Sequence, residues 1–63
     1  MTAREAQRRR KAIAADRRAF EALRDAAIAE GDVSPDEIHC LNSIIADKAE
    51  SEAKLAKVEA AVS

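Results

Sequence analysis

Apolar positions recur every three or four residues through two long stretches of the chain, and the pattern breaks once, in Glu30-Gly31-Asp32-Val33-Ser34-Pro35-Asp36-Glu37. A spacing of three and four is the signature of a helix with an apolar face, so the pattern predicts two helices joined near the midpoint. Gly31 suits the left-handed position just past a helix end, where a Cβ would be strained. Ser34 fits the N-cap of the next helix and Pro35 its first position, where a missing N–H does no harm. Glu37 falls at the third position, from which it can return a hydrogen bond to Ser34. Val33 and Ile38 are spaced to form the hydrophobic staple that accompanies such a box. A weaker box, Thr2 with Glu5, opens the chain. The expected elements are helix 1 over about 3–30, a turn at about 31–34 and helix 2 over about 35–62, in one domain spanning 1–63.

Each helix carries two neighbouring apolar stripes. In helix 1, Ala12, Ala15, Ala19, Ala22, Ala26 and Ala29 step by three and four beside a bulkier stripe of Ile13, Phe20, Leu23 and Ala27. In helix 2, Ala46, Ala49, Ala53, Ala56 and Ala60 do the same beside Leu41, Ile44, Leu55, Val58 and Val62, with Ile38 and Ile45 between the stripes. Two Ala seams have no bulk to hold helices apart and suit each other across a hairpin. With the turn near residue 32, antiparallel partners sum to roughly 65, which sets Phe20 opposite Ile45, Leu23 opposite Leu41 or Asn42, and Ala27 opposite Ile38. Helix propensity or a biased genome composition is the other explanation of the Ala residues. A lone hairpin uses one seam per helix, whereas each helix of a four-helix bundle uses two. The expected fold is therefore all-α: an antiparallel two-helix hairpin that dimerises into a four-helix bundle. The expected protein interface comprises Ile13, Phe20, Leu23, Leu41, Ile44, Ile45, Leu55, Val58 and Val62.

This arrangement resembles the Rop family of plasmid RNA-binding proteins, short helical hairpins whose two copies pack as an antiparallel four-helix bundle with layers of small and large residues. The resemblance covers both helices as a pattern and includes no motif residues, and the turn with Gly31 and Pro35 is longer than a minimal Rop-type loop. It implies a nucleic-acid-binding regulator that uses the basic end of helix 1.

Composition narrows the picture. Of 63 residues 48% are hydrophobic, but 16 are Ala and only 12 are Ile, Leu, Val or Phe. That is a thin core supply for a chain whose ordering costs on the order of 90 kcal/mol, so a partner surface is expected. A single Cys leaves no internal disulfide, and the longest apolar runs are four residues, too short for a membrane span or a signal segment. A cytoplasmic location without membrane contact is the corresponding expectation.

Charge is split along the chain. Residues 1–30 hold eight Lys or Arg against five Asp or Glu, and residues 31–63 hold three against seven. Arg8, Arg9, Arg10, Lys11, Arg17 and Arg18 are candidates for contacts to phosphates or to an acidic partner. Against the phosphate reading, no aromatic residue interleaves with them for base stacking, and the hairpin lays them against Glu50, Glu52 and Glu59. Asp16, on the bulky stripe, is expected to pair with Lys48 or Lys54.

Candidate chemistry is sparse. His39 and Cys40 are adjacent on a helix and point about 100° apart, so they cannot chelate one ion together. The pairs Asp36–Cys40 and His39–Ser43 lack an orienting third group and an oxyanion hole. No catalytic site, metal, cofactor or small-molecule substrate is expected. The reading is a non-enzymatic protein–protein interaction module that homodimerises or docks as an accessory subunit on a larger assembly. A small phage or plasmid accessory or inhibitor protein fits the size equally well.

Overall fold

The computed structural model describes residues 1–62. Helix α1 spans Ala3–Glu30 and helix α2 spans Pro35–Val62, and no strand occurs among the described residues. Both helices begin and end for local reasons that the sequence carries. The Oγ1 of Thr2, whose backbone is extended, accepts the amide of Glu5 at 3.1 Å. Gly31 takes φ 74° and donates its N–H to the carbonyls of Ala27 and Ile28, closing the last turn of α1. The Oγ of Ser34 accepts the amide of Glu37 at 3.3 Å and its carbonyl accepts the amide of Ile38. Asp36 and Glu37 put negative charge on the positive end of the α2 dipole.

The two helices lie side by side and antiparallel. The least exposed positions mark the seam: Ala3, Ala6, Arg10, Ile13, Arg17, Phe20, Arg24 and Ala27 on α1, and Ile38, Leu41, Ile45, Lys48, Glu52, Leu55 and Glu59 on α2. Their steps of three and four repeat every seven residues, the spacing of a two-stranded coiled coil. On α1, every residue at one of the two seam positions between Arg10 and Arg24 is an arginine.

The Ala stripes do not meet. Ala12, Ala15, Ala19, Ala22, Ala26 and Ala29 are all exposed, as are Ala46, Ala49, Ala53, Ala56 and Ala60. The inward face takes Ile13, Phe20 and Ala27 of the bulkier stripe on α1 and Leu41 and Leu55 of that on α2, together with Ile38 and Ile45, while Ile44, Val58 and Val62 of the same stripe stay outside. Leu23 departs from the expected pairing and stays 55% exposed.

Side-chain length explains the ion pairs that cross the seam. Helical side chains lean toward their own N-terminus, so a long side chain on α1 and one on α2 reach toward each other from backbone positions offset by about one turn. Arg10–Glu59 and Arg17–Glu52 accordingly pair at residue sums of 69, while Arg24–Asn42 sums to 66 and Asp16–Lys48 to 64. The last two agree with the register near 65 that the turn dictates.

The hairpin is 46 × 15 × 12 Å with a radius of gyration of 14.4 Å. A compact chain of 63 residues has a radius of about 10.6 Å. It exposes 4526 Å² of surface, against about 3,950 Å² for a compact monomer of its mass. Among the described residues Ala6 alone is buried.

Candidate functional site

The residues that the sequence marks for an interface divide into two groups. Ile13, Phe20, Leu41, Ile45 and Leu55 are half-buried and hold α1 to α2. Leu23, Ile44, Val58 and Val62 are exposed, at 55%, 37%, 36% and 47%. Ile28, 50% exposed, was not among the sequence candidates; its offset of one residue from the Ala27 seam position is the signal that places it on the flank.

The period of seven sorts these positions further. Leu23, Ile44 and Val58 each precede a seam residue by one, next to Arg24, Ile45 and Glu59. In an antiparallel pair such positions from both helices fall on the same side of the hairpin. Ile28 follows a seam residue and lies on the other side. One broad face therefore collects three of the larger exposed aliphatic side chains.

The basic residues also divide. The Nε of Arg10 donates to Glu59 at 2.9 Å. The Nε and Nη2 of Arg17 donate to the two carboxylate oxygens of Glu52, while its Nη1 donates to Glu21. The hydrogen bond and charge of Glu59 raise the Arg10 pKa above its ordinary value. Arg17 is raised further by its hydrogen bonds to Glu52 and then Glu21. Both guanidiniums are thus occupied within the hairpin. Arg8, Arg9, Lys11 and Arg18 remain exposed, without an ion pair among the described residues. Arg4, Gln7, Arg8 and Lys11 border one open cleft.

Lys48 sits on the seam with its ammonium 5.5 Å from the centroid of the Phe20 ring and 3.9 Å from Asp16. The ammonium therefore lies over the ring face and within reach of a carboxylate at the same time. Glu50, the third acidic residue expected against the basic stretch, instead pairs with Lys54 along α2 at 3.4 Å.

The antiparallel packing turns the charge split along the chain into one along the molecule. The open half, residues 1–14 and 51–62, holds seven Lys or Arg against three Asp or Glu, a net +4. The turn half, residues 15–50, holds four against nine, a net −5. Cys40 and His39 lie exposed in the turn half. Cys40 and Leu41 line a shallow depression with Asp36 and Glu37.

No group of three His, Cys, Asp or Glu among the described residues could hold a metal ion, and no helix is long and apolar enough to cross a membrane. No protein family, no curated protein and no solved structure matches this chain. The resemblance to the Rop family therefore rests on the pattern of the two helices and carries no function over.

Proposed function

We propose that this chain is a non-enzymatic interaction module, a helical hairpin that works by burying its outer apolar face against another protein surface, as a homodimer or as an accessory subunit of a larger assembly. The observation that carries this reading is the shortage of burial. One buried side chain and about 570 Å² more exposed surface than a compact monomer of this mass leave the hairpin without a core of its own. Leu23, Ile44 and Val58 on one face supply anchors of the size that interfaces use.

Light scattering with refractive-index detection, combined with far-ultraviolet circular dichroism, tests the proposal. A helical dimer, or a poorly helical monomer that gains helix on binding another protein, supports it. A fully helical monomer that melts cooperatively at every concentration would overturn it, because such a hairpin needs no cover.

A second reading, phosphate contact by the basic end of α1, draws on the unpaired Arg8, Arg9, Lys11 and Arg18 and on the cleft bordered by Arg4 and Lys11. Arg10 and Arg17 leave that set, since Glu59 and Glu52 hold them. Phosphate binding would weaken with a log–log salt slope of roughly −0.7 to −0.9 per contact. Replacing Arg8, Arg9 and Lys11 with Gln would remove it, and unaltered binding of a nucleic-acid duplex by that variant would exclude these residues.

A further inference from the structure

We infer that the partner of the exposed Leu23–Ile44–Val58 face is a second copy of this chain, packed with its turn beside the open end of the first. The inference rests on the interaction reading above and names its occupant and orientation.

The outer stripe of α2 on that face runs Ile44, Asp47, Ser51, Lys54, Val58, in steps of three and four. Read backwards it is Val, Lys, Ser, Asp, Ile. Two antiparallel copies of α2 centred on Ser51 thus set Ile44 against Val58 of the second copy and Asp47 against its Lys54, twice over by symmetry. Such self-complementarity is what a two-fold interface requires. The small Ser51 at the centre lets the backbones approach, and the aliphatic pairs lie one heptad to either side.

Long-range charge selects the same orientation. With a two-fold axis at Ser51, the +4 open half of one hairpin lies beside residues 15–25 and 40–50 of the other, which hold four Lys or Arg against five Asp or Glu, while Glu30, Asp32, Asp36 and Glu37 project just beyond its end. The opposite arrangement, with both turns at one end, would stack like charge on like charge at both ends. The area is modest. With the axis at Ser51 the copies overlap over about 22 residues of α2, about 33 Å, and at the 15 Å width of the hairpin they would bury about 1,000 Å² in all, at the lower bound for a specific interface.

The single cysteine makes the orientation measurable. Cys40 is exposed and eleven residues from Ser51. At 1.5 Å per residue the two Cys40 positions lie about 33 Å apart along the axis, or about 34 Å once the helix separation is included. Spin labels on Cys40 are expected to report that distance by pulsed electron resonance in a species that remains a dimer by mass. A dimer with labels closer than about 20 Å would overturn the orientation. A chain that stays monomeric until another protein is added would overturn the second copy as occupant and leave the interaction reading standing.

A charge exchange tests the face itself. Asp47→Lys and Lys54→Asp are each expected to weaken dimerisation about tenfold or more, because each places two like-charge pairs across the interface. The double exchange is expected to recover at least about threefold of the loss, short of full recovery because it also removes the Lys54–Glu50 pair within α2. Single variants that dimerise normally would show that this stripe is not the contact.

Discussion

Arg17 of α1 and Glu52 of α2 are joined by two parallel hydrogen bonds, Nε and Nη2 of the guanidinium onto the two carboxylate oxygens, so an ion pair occupies the middle of the seam between the helices. Arg10 and Glu59 form a second ion pair one heptad toward the open end, through Nε alone. The aliphatic residues Ile13 and Leu55 lie between these two pairs. The seam therefore alternates apolar contact with ion pairing, and the arginine stems contribute cover as well as charge.

Exchanging the charges of this pair separates its role from that of side-chain bulk. Arg17→Glu and Glu52→Arg should each lower the midpoint of thermal unfolding, since each brings like charges together on the seam. The double exchange should recover most of the loss, leaving a deficit from the missing Glu21 contact. Melts followed at 222 nm read all three variants, and a double variant no better than its parents would refute pairing as the cause.

The apolar layers should matter at an intermediate level. Leu55 and Ile13 are half-buried, so replacing either by Ala should cost about 1–2 kcal/mol, below the roughly 2–5 kcal/mol of an enclosed core site. Urea unfolding monitored by helicity measures the change.

At the turn, backbone conformation alone sets the cost of substitution. Gly31 has φ 74°, and a Cβ built there meets nothing within 4 Å. Gly31→Ala should therefore destabilise by about 1 kcal/mol through strain, with no clash. Gly31→Asn should cost less, because asparagine tolerates the left-handed region. Equal losses for Ala and Asn would contradict the conformational account.

Raised pKa values on Arg10 and Arg17 set the sign of the pH response. A cation whose folded pKa exceeds its unfolded value contributes stability that is fully present below the unfolded value and is lost as pH rises through the folded one. Helicity should accordingly stay level between about pH 6 and 9, well below the arginine range. A fall within that window, followed by circular dichroism, would mean that another group holds the seam.

Much of the architecture is legible in the residues themselves. Thr2, Gly31, Ser34 and Glu37 bound the helices through interactions reaching three or four residues, and the structure ends and starts both helices where those residues place them. Of the two cations expected for Asp16, Lys48 is the one it meets, while Lys54 turns to Glu50. The division of the basic run was not legible in the same way. Arg8, Arg9, Arg10 and Lys11 are chemically alike along the sequence, and only the facing carboxylate of Glu59 distinguishes Arg10 from its neighbours. The candidate interface split for the same reason, since Leu23 and Phe20 are both apolar and differ in which side of the seam they meet.

Two helices of 28 residues each and the turn between them follow from local sequence, because caps, a left-handed glycine and helix propensity act within a few residues. Which members of each stripe face inward is settled by packing the two helices together. Neighbouring apolar positions of the same period are equivalent to local chemistry. The choice among them depends on how much area a pair of helices removes from water and on which charges, 35 and 49 residues apart, find each other across the seam.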